Sequence, residues 1–262
     1  MKTYWLIFLT DLQNNLVYRF SFLIQHFRQF LAFLVPLFVW TAVFQHQTSI
    51  YHYSFSLLMT YVFVSLVLRT LVFNSTTYEL ASIINNGYLS VYLLKPINIF
   101  KYYLARDLST KFVNSLFLFL EIPLLLFLFK PPLIFQTDPF LIIAFVLSVI
   151  LAIGLYFYIS FIFGTIGFWS HDVWAPRFLF LIILEFATGS IFPLDMLPSQ
   201  AYHFLQAMPF AYLVFSPLQI YLGKSSHPWL DLGIAFLWLL FFYVLANLIW
   251  QKGLKTYEAE GY

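Results

Sequence analysis

Apolar residues in this chain gather in long runs, and the polar positions fall between them. Forty residues without a formal charge separate Arg28 from Arg69. At ~20 residues per membrane crossing, that run holds two helices joined by "FQHQTSIYHYS" (Phe44 to Ser54). The pattern predicts spans over 22–44 and 55–73, with Pro36 kinking the first. A third is expected over 108–129, after which "KPPLIFQTDP" (Lys130 to Pro139) turns the chain into a fourth over 140–164. The loop "GFWSHDVWAPR" (Gly167 to Arg177) leads to a fifth, and a last span lies between Asp231 and Lys252.

Two stretches depart from this rhythm. Near the start, Trp5, Phe8, Leu9, Leu12 and Leu16 share one helical face, while Thr10, Asp11, Gln13, Asn14 and Asn15 fall largely on the other. Residues 1–20 therefore read as an amphipathic helix lying at the membrane surface, with a frayed lead-in to the first span as the plainer alternative. No small-residue cleavage site follows the short apolar run, so a signal peptide is not expected. Before the last span, "GSIFPLDMLPSQAYHFLQAMPF" (Gly189 to Phe210) is apolar but broken by prolines. Residues 201–222 are long enough to cross, yet Pro209 and Pro217 would each cost ~3 kcal/mol or more inside a continuous helix. Two half-helices broken at 208–210 fit better, within an outer re-entrant segment over 189–228. Such backbone is tolerated at membrane depth only where protein or a cavity covers it.

Composition raises this pattern to a class. With 62% hydrophobic and 9% charged residues and a mean hydropathy of +0.85, the chain lies far from the ~25% charge of soluble domains. It reads as one all-α integral membrane domain over 1–262, with no room for a soluble catalytic domain. The absence of cysteine excludes thiol catalysis and cysteine metal sites. A net charge of +2, scattered along the chain, gives no stripe for nucleic acid.

The sidedness of the charges sets orientation, because cytoplasmic loops retain Lys and Arg. With six spans and the N-terminus inside, Lys2, Arg19, Arg28, Arg69, Lys95, Lys101, Arg106, Lys111, Arg177, Lys252 and Lys255 lie inside, and Lys130 and Lys224 outside. A seventh span through 201–222 changes the ratio only from eleven against two to ten against three, so proline chemistry carries the choice. Arg28 and Arg69 then stand near one membrane face, where their stems snorkel.

Only Glu121 and Glu185 are acids well inside spans. A charge there costs at least ~2.5–3.5 kcal/mol, so the pair is a candidate translocation path favouring a cationic amphiphile. A structural role, with each acid bonded to a neighbouring span, is preferred because such contacts are common. "LQIYLGKSS" offers Gly223, Lys224 and Ser225, but Leu218 stands where a phosphate-binding loop needs its first glycine. No H-E-x-x-H pattern is present either. The aromatic residues, mostly phenylalanine, read as lipid-facing filler, with Trp169, Trp174, Trp229 and Trp250 as interfacial anchors.

The longest cytoplasmic connection, residues 74–107, has a helical segment ending near "NNG", an apolar segment and a break at "KP". A rigid motor transmits a stroke only through a short ordered element fixed to spans at both ends, and this is the candidate of useful length. Its "GYLSVYLLKPI" (Gly87 to Ile97) resembles the glycine, apolar pair and proline found after the second span in permease subunits of ABC-2 type exporters. The late "GSIFPLDMLP" followed by "MPF" resembles that family's outer-face segment before the last span. Where many relatives carry charge before the glycine, this chain has "IINN" (Ile83 to Asn86), so docking is assigned to the segment 79–87 as a whole.

The resemblance implies a permease that binds no cofactor itself and is no enzyme. It implies a second permease, identical or similar, and two copies of a separate ATPase holding ATP and Mg, all in the lipid of a bacterial inner membrane with both termini cytoplasmic. Glu79, Ile83, Gly87, Leu94 and Pro96 are then the coupling candidates. Phe192, Pro193, Leu194, Met196, Pro209 and Phe210 are candidates for an outer gate. The cargo expected is small and hydrophobic or amphipathic. The alternative is an ion-coupled secondary transporter using Glu121 and Glu185, for which the expected inverted repeat is not evident; a membrane-embedded enzyme ranks behind both.

Overall fold

The computed structural model describes residues 2–17 and 19–257. Leu16, assigned above to the apolar face of the first helix, and Arg19, counted among the inner cations, have side chains outside the described ones. Helices α1 (Lys2–Val17) and α2 (Arg19–Val43) precede a hairpin of β1 (Ser49–Ile50) and β2 (Tyr53–Ser54). Then come α3 (Phe55–Val72), a 3₁₀ turn (Thr76–Tyr78), α4 (Glu79–Asn85), α5 (Leu89–Leu93), α6 (Ile99–Phe129) and α7 (Pro139–Thr165). A 3₁₀ turn (Ile166–Phe168) leads to α8 (Trp174–Ala187), α9 (Ser199–Ala207), α10 (Phe215–Tyr221) and α11 (Pro228–Thr256). In the hairpin, Ser49 faces Ser54 and Ile50 faces Tyr53 across a two-residue turn. Positive φ at Tyr51 (45°) and His52 (66°) marks the tight turn whose twist suits antiparallel strands.

Among the described residues, five helical stretches are long and apolar enough to cross a membrane: 26–43, 55–72, 99–129, 139–168 and 228–256. The protein is thus a multi-pass helical membrane protein. α8 falls short, because its 14 residues reach only ~21 Å at ~1.5 Å per residue against ~30 Å of hydrocarbon. α3 is the central helix: 56% of its window is buried, against 17–22% for α2, α6 and α11. Those three therefore present mostly apolar side chains outward, as lipid contact or partner contact requires.

Two expectations are corrected. α6 begins at Ile99, nine residues before the expected start of the third span, because Asn98 caps it by accepting from the Lys101 amide at 3.1 Å. Residues 99–107, read as loop, are helix, and within them Arg106 pairs with Asp11 of α1 and Glu79 of α4. On α1, Asp11 does not face water with Thr10 and Gln13; it is buried at 8% exposure, where Arg106 donates to it at 2.9 Å. The helix lies along α6, so part of its polar face is a protein contact.

The hydrogen bonds define two ends of the bundle. At one, residues 74–98 meet the turn after α7 and the end of α11, where Asn85 donates to the His171 carbonyl and Tyr257 to the Gly87 carbonyl. At the other, the hairpin meets 193–197 and 219–224 through Tyr53, Asp195 and Gln219. α7 and α11 run the same way between these ends and form the most extensive helix pair.

Candidate transport site

The connection between α3 and α6 is braced on every side. Asp107, 1% exposed, accepts from the Ser75 hydroxyl (2.7 Å) and from the Thr76 amide (2.6 Å) and hydroxyl (2.7 Å). Lys111, 6% exposed, donates to the carbonyls of Val72 (3.4 Å) and Asn74 at the end of α3. A helix end leaves such carbonyls without partners, and here an ammonium supplies one. Thr77 donates to Ser160 of α7 at 2.7 Å. Sequence reading put Asp107 at the end of the loop and counted Lys111 among the inner cations at the start of the third span; their i, i+4 spacing on one helix was the available signal.

The coupling candidates divide by environment. Glu79 accepts from Arg106 at 2.6 Å, and Arg106 also holds Asp11, so one guanidinium ties α4 to α1 and α6. Ile83 is half-buried against the cluster of Leu80, Tyr103 and Phe161. Gly87 takes a φ of 74°, which glycine adopts without a Cβ penalty. The hydroxyl of Tyr257 donates to the Gly87 carbonyl (2.8 Å) and accepts from the Ser90 amide (3.2 Å). Leu94 and Pro96 are exposed, Leu94 at 88%. A cavity of about 560 Å³ opens beside α4, lined by Tyr78, Asn85, Asp172, Trp174 and Arg177 among others.

At the hairpin end, Tyr53 donates to Asp195 (2.9 Å) and accepts from Gln219 (2.8 Å), with the Lys224 ammonium 3.2 Å from its ring centre. Lys224 also stands 3.7 Å from Asp195. Burial, then the Asp195 carboxylate, pushes the Tyr53 hydroxyl well above the ordinary tyrosine value. Burial lowers Lys224. Of the gate candidates, Leu194 (0% exposed) and Pro209 lie in the core, Pro193 is buried, and Met196 is half-buried. Phe210 meets Phe180 of α8 edge-on at 5.9 Å. Phe192 lines the cleft described next.

The chain turns at Gly189 with a φ of 72°, where a Cβ would sit 3.0 Å from both Leu194 and the Tyr61 hydroxyl. Its carbonyl accepts from Tyr61 of α3, and the Ser190 carbonyl accepts from Ser65. α10 begins at this same level, since the Phe215 amide donates to the Thr188 carbonyl at 3.1 Å. Between α2, α3 and residues 190–192 lies a largely apolar cleft of about 760 Å³, with Arg28 and Arg69 in its wall. Glu185 pairs with Arg69 and accepts from Ser190 at 3.1 Å. Glu121 pairs with His26 of α2 at 2.7 Å. The two intramembrane acids thus sit in separate pairs, each with a basic side chain from another helix.

The family model described as "ABC-2 family transporter protein" matches residues 30–261, which takes in every element from within α2 onward. No match was found among the curated proteins compared with the chain. The match extends over both braced segments, over the apolar cleft except Arg28, and over four membrane-length helices in full with most of the fifth, and such permeases associate with an ABC ATPase subunit. The chain belongs to the ABC-2 family of transporters.

Proposed function

We propose that this chain is the membrane-spanning subunit of an ATP-driven exporter carrying a small hydrophobic or amphipathic substrate out of a bacterial cytoplasm. It works with a second permease, identical or similar, and with two copies of a separate ATPase that holds ATP and Mg. The chain itself hydrolyses nothing. The 74–98 end and both termini face the cytoplasm; in support, eleven of the thirteen Lys and Arg fall on that side of a six-span topology.

The sixth crossing is composite. α8 rises ~21 Å from the 74–98 end, and α10, seven residues or ~10 Å long, continues outward from the Phe215 to Thr188 bond. Together they match ~30 Å of hydrocarbon. α9 descends beside them, so 189–228 is a re-entrant outer segment whose broken backbone is covered by α3 and α7.

The observation that carries the reading is the contrast inside the loop. Its frame is fixed to α1, α6, α7 and α11 through Arg106, Asp107, Thr77 and Tyr257, while Leu94 projects with 88% of its surface free. Force applied at α4 and α5 therefore passes into four helices. Glu121 and Glu185, which an ion-coupled carrier would need unpaired, each have a basic neighbour. Leu94→Asp is expected to abolish co-purification of the ATPase while the permease keeps its thermal unfolding midpoint. Stoichiometric retention of the ATPase by that variant would sink the docking assignment.

A further inference from the structure

The cleft beside α2 has chemistry that the exporter reading does not use. Its volume of about 760 Å³ lies within the ~300–1,000 Å³ typical of small-molecule sites. Arg28 and Arg69 occupy one level of it. Arg28 is ~22 Å from the Val43 end of α2 and Arg69 ~21 Å from the Phe55 end of α3, at ~1.5 Å per residue. Val35 and Val39 line the cleft nearer the hairpin end and are 64% and 52% exposed, so it opens sideways. One end is thus cationic and the other apolar.

The charges do not cancel. Arg69 is opposed by Glu185, whereas Arg28 has no acidic partner among the described residues. Arg28 is exposed in the wall of the cleft, and a guanidinium with no carboxylate beside it favours an anion. The acids that would have attracted a cation are both occupied.

We infer that this cleft binds an anionic amphiphile drawn from the surrounding membrane, its acidic head on Arg28 and Arg69 and its tail along Val35, Val39 and Phe192, and that such amphiphiles are the exported cargo. The cargo assignment rests on the exporter reading; the binding does not. Arg28 supplies the specificity, because a guanidinium forks onto two oxygens of a phosphate or carboxylate.

Trp40 lines the same cleft and reports on its occupant. The test uses the full chain in phosphatidylcholine nanodiscs with chain-brominated dodecyl phosphate, whose bromines quench nearby tryptophan. Saturable quenching is expected, and it should be lost in Trp40→Phe. Arg28→Gln should weaken binding about ten-fold or more, since a hydrogen bond to a charged group is lost, and Arg28→Lys, which keeps the charge but not the two-pronged contact, should fall between the parent and Arg28→Gln. The brominated trimethylammonium and phosphocholine analogues should bind at least about ten-fold more weakly by the same charge argument. Val39→Trp, which fills the apolar end, should block the probe and serves if Arg28→Gln does not fold.

Equal binding of the three headgroups, or an unchanged Arg28→Gln, overturns the inference. Displacement by inorganic phosphate alone would assign the site to a soluble anion and overturn the membrane source. Quantitative cross-linking of Val35→Cys between copies, with no quenching by the probe, would make the cleft a copy interface instead. None of these results touches ATPase co-purification, which tests the exporter reading separately.

Discussion

Gly167 sits where a Cβ would lie 2.9 Å from the Cα and carbonyl oxygen of Ala81, so the turn after α7 can touch the backbone of α4 only because this residue is glycine. The atoms in the way are main-chain and cannot rotate aside. Gly167→Ala should therefore cost about 1–3 kcal/mol, as overpacking does, and lower the thermal unfolding midpoint in detergent. Trimming Ala81→Gly in the same chain should not restore it, because the clash is with Ala81 backbone; full rescue would mean that the contact is not as close as described. Tyr53 offers a second test. Its hydroxyl is held above the unfolded value of 10.0 by burial and by Asp195. A raised folded value means that the unfolded chain loses the proton first. The stabilising contribution is complete below pH 10.0 and declines as pH rises from there toward the folded value. The slope of stability against pH between about 9 and 11 should be shallower in Tyr53→Phe than in the parent, whatever the variant's absolute stability. Identical slopes would remove Tyr53 from the account.

Between elements, the ion pairs act as cross-ties, and their cost depends on how many partners are removed. Replacing Glu185 by Met leaves Arg69 of α3 without its carboxylate, and breaking a buried pair on one side typically costs about 3–5 kcal/mol. The pair here is about one-third exposed (37% and 33%), so the loss should fall at or below the low end of that range. Replacing both by Met should recover much of the loss, because two apolar groups leave nothing unpaired. Thermal midpoints of the two singles and the double give the coupling directly, and additive effects would show that the pair does not bind α3 to α8. The elements themselves were largely legible in the sequence, since a long apolar run has few alternatives to a helix. α2, α3 and α7 fall within three residues of the spans expected from charge-free runs. The start of α6 was not legible, because Lys101 and Arg106 look like loop charges until Asp11 and Glu79 are found beside Arg106. Sequence periodicity reports which face is apolar, and it is silent on which polar face meets another helix. For the same reason Arg28 and Arg69 read as separate snorkelling cations, although they share one cleft.

At the scale of the whole molecule, the number of crossings depends on how 187–228 is assembled. Among the described residues, five helices are long and apolar enough to cross; α8 reaches such a length only with α10 stacked on it. The Phe215 to Thr188 bond fixes where α10 begins, and Gln136, which donates to the Tyr221 carbonyl at 2.8 Å, fixes where it ends, beside the loop that precedes α7. Pro217 is tolerated because it is the third residue of α10, where the amide has no partner within the helix. Met208, with an extended ψ of 154°, breaks the helix where the two prolines left the choice between one span and two half-helices. On the proposed topology, positions 226 and 256 lie on opposite sides of the membrane, joined by α11. Because the chain lacks cysteine, Ser226→Cys and Thr256→Cys each introduce a single thiol at an exposed site. An impermeant maleimide should label position 226 in intact cells and position 256 only after permeabilisation, with Leu94→Cys behaving like 256. If 226 reacts only after permeabilisation while 256 reacts in intact cells, residues 201–222 cross as a full seventh helix and the composite crossing is wrong.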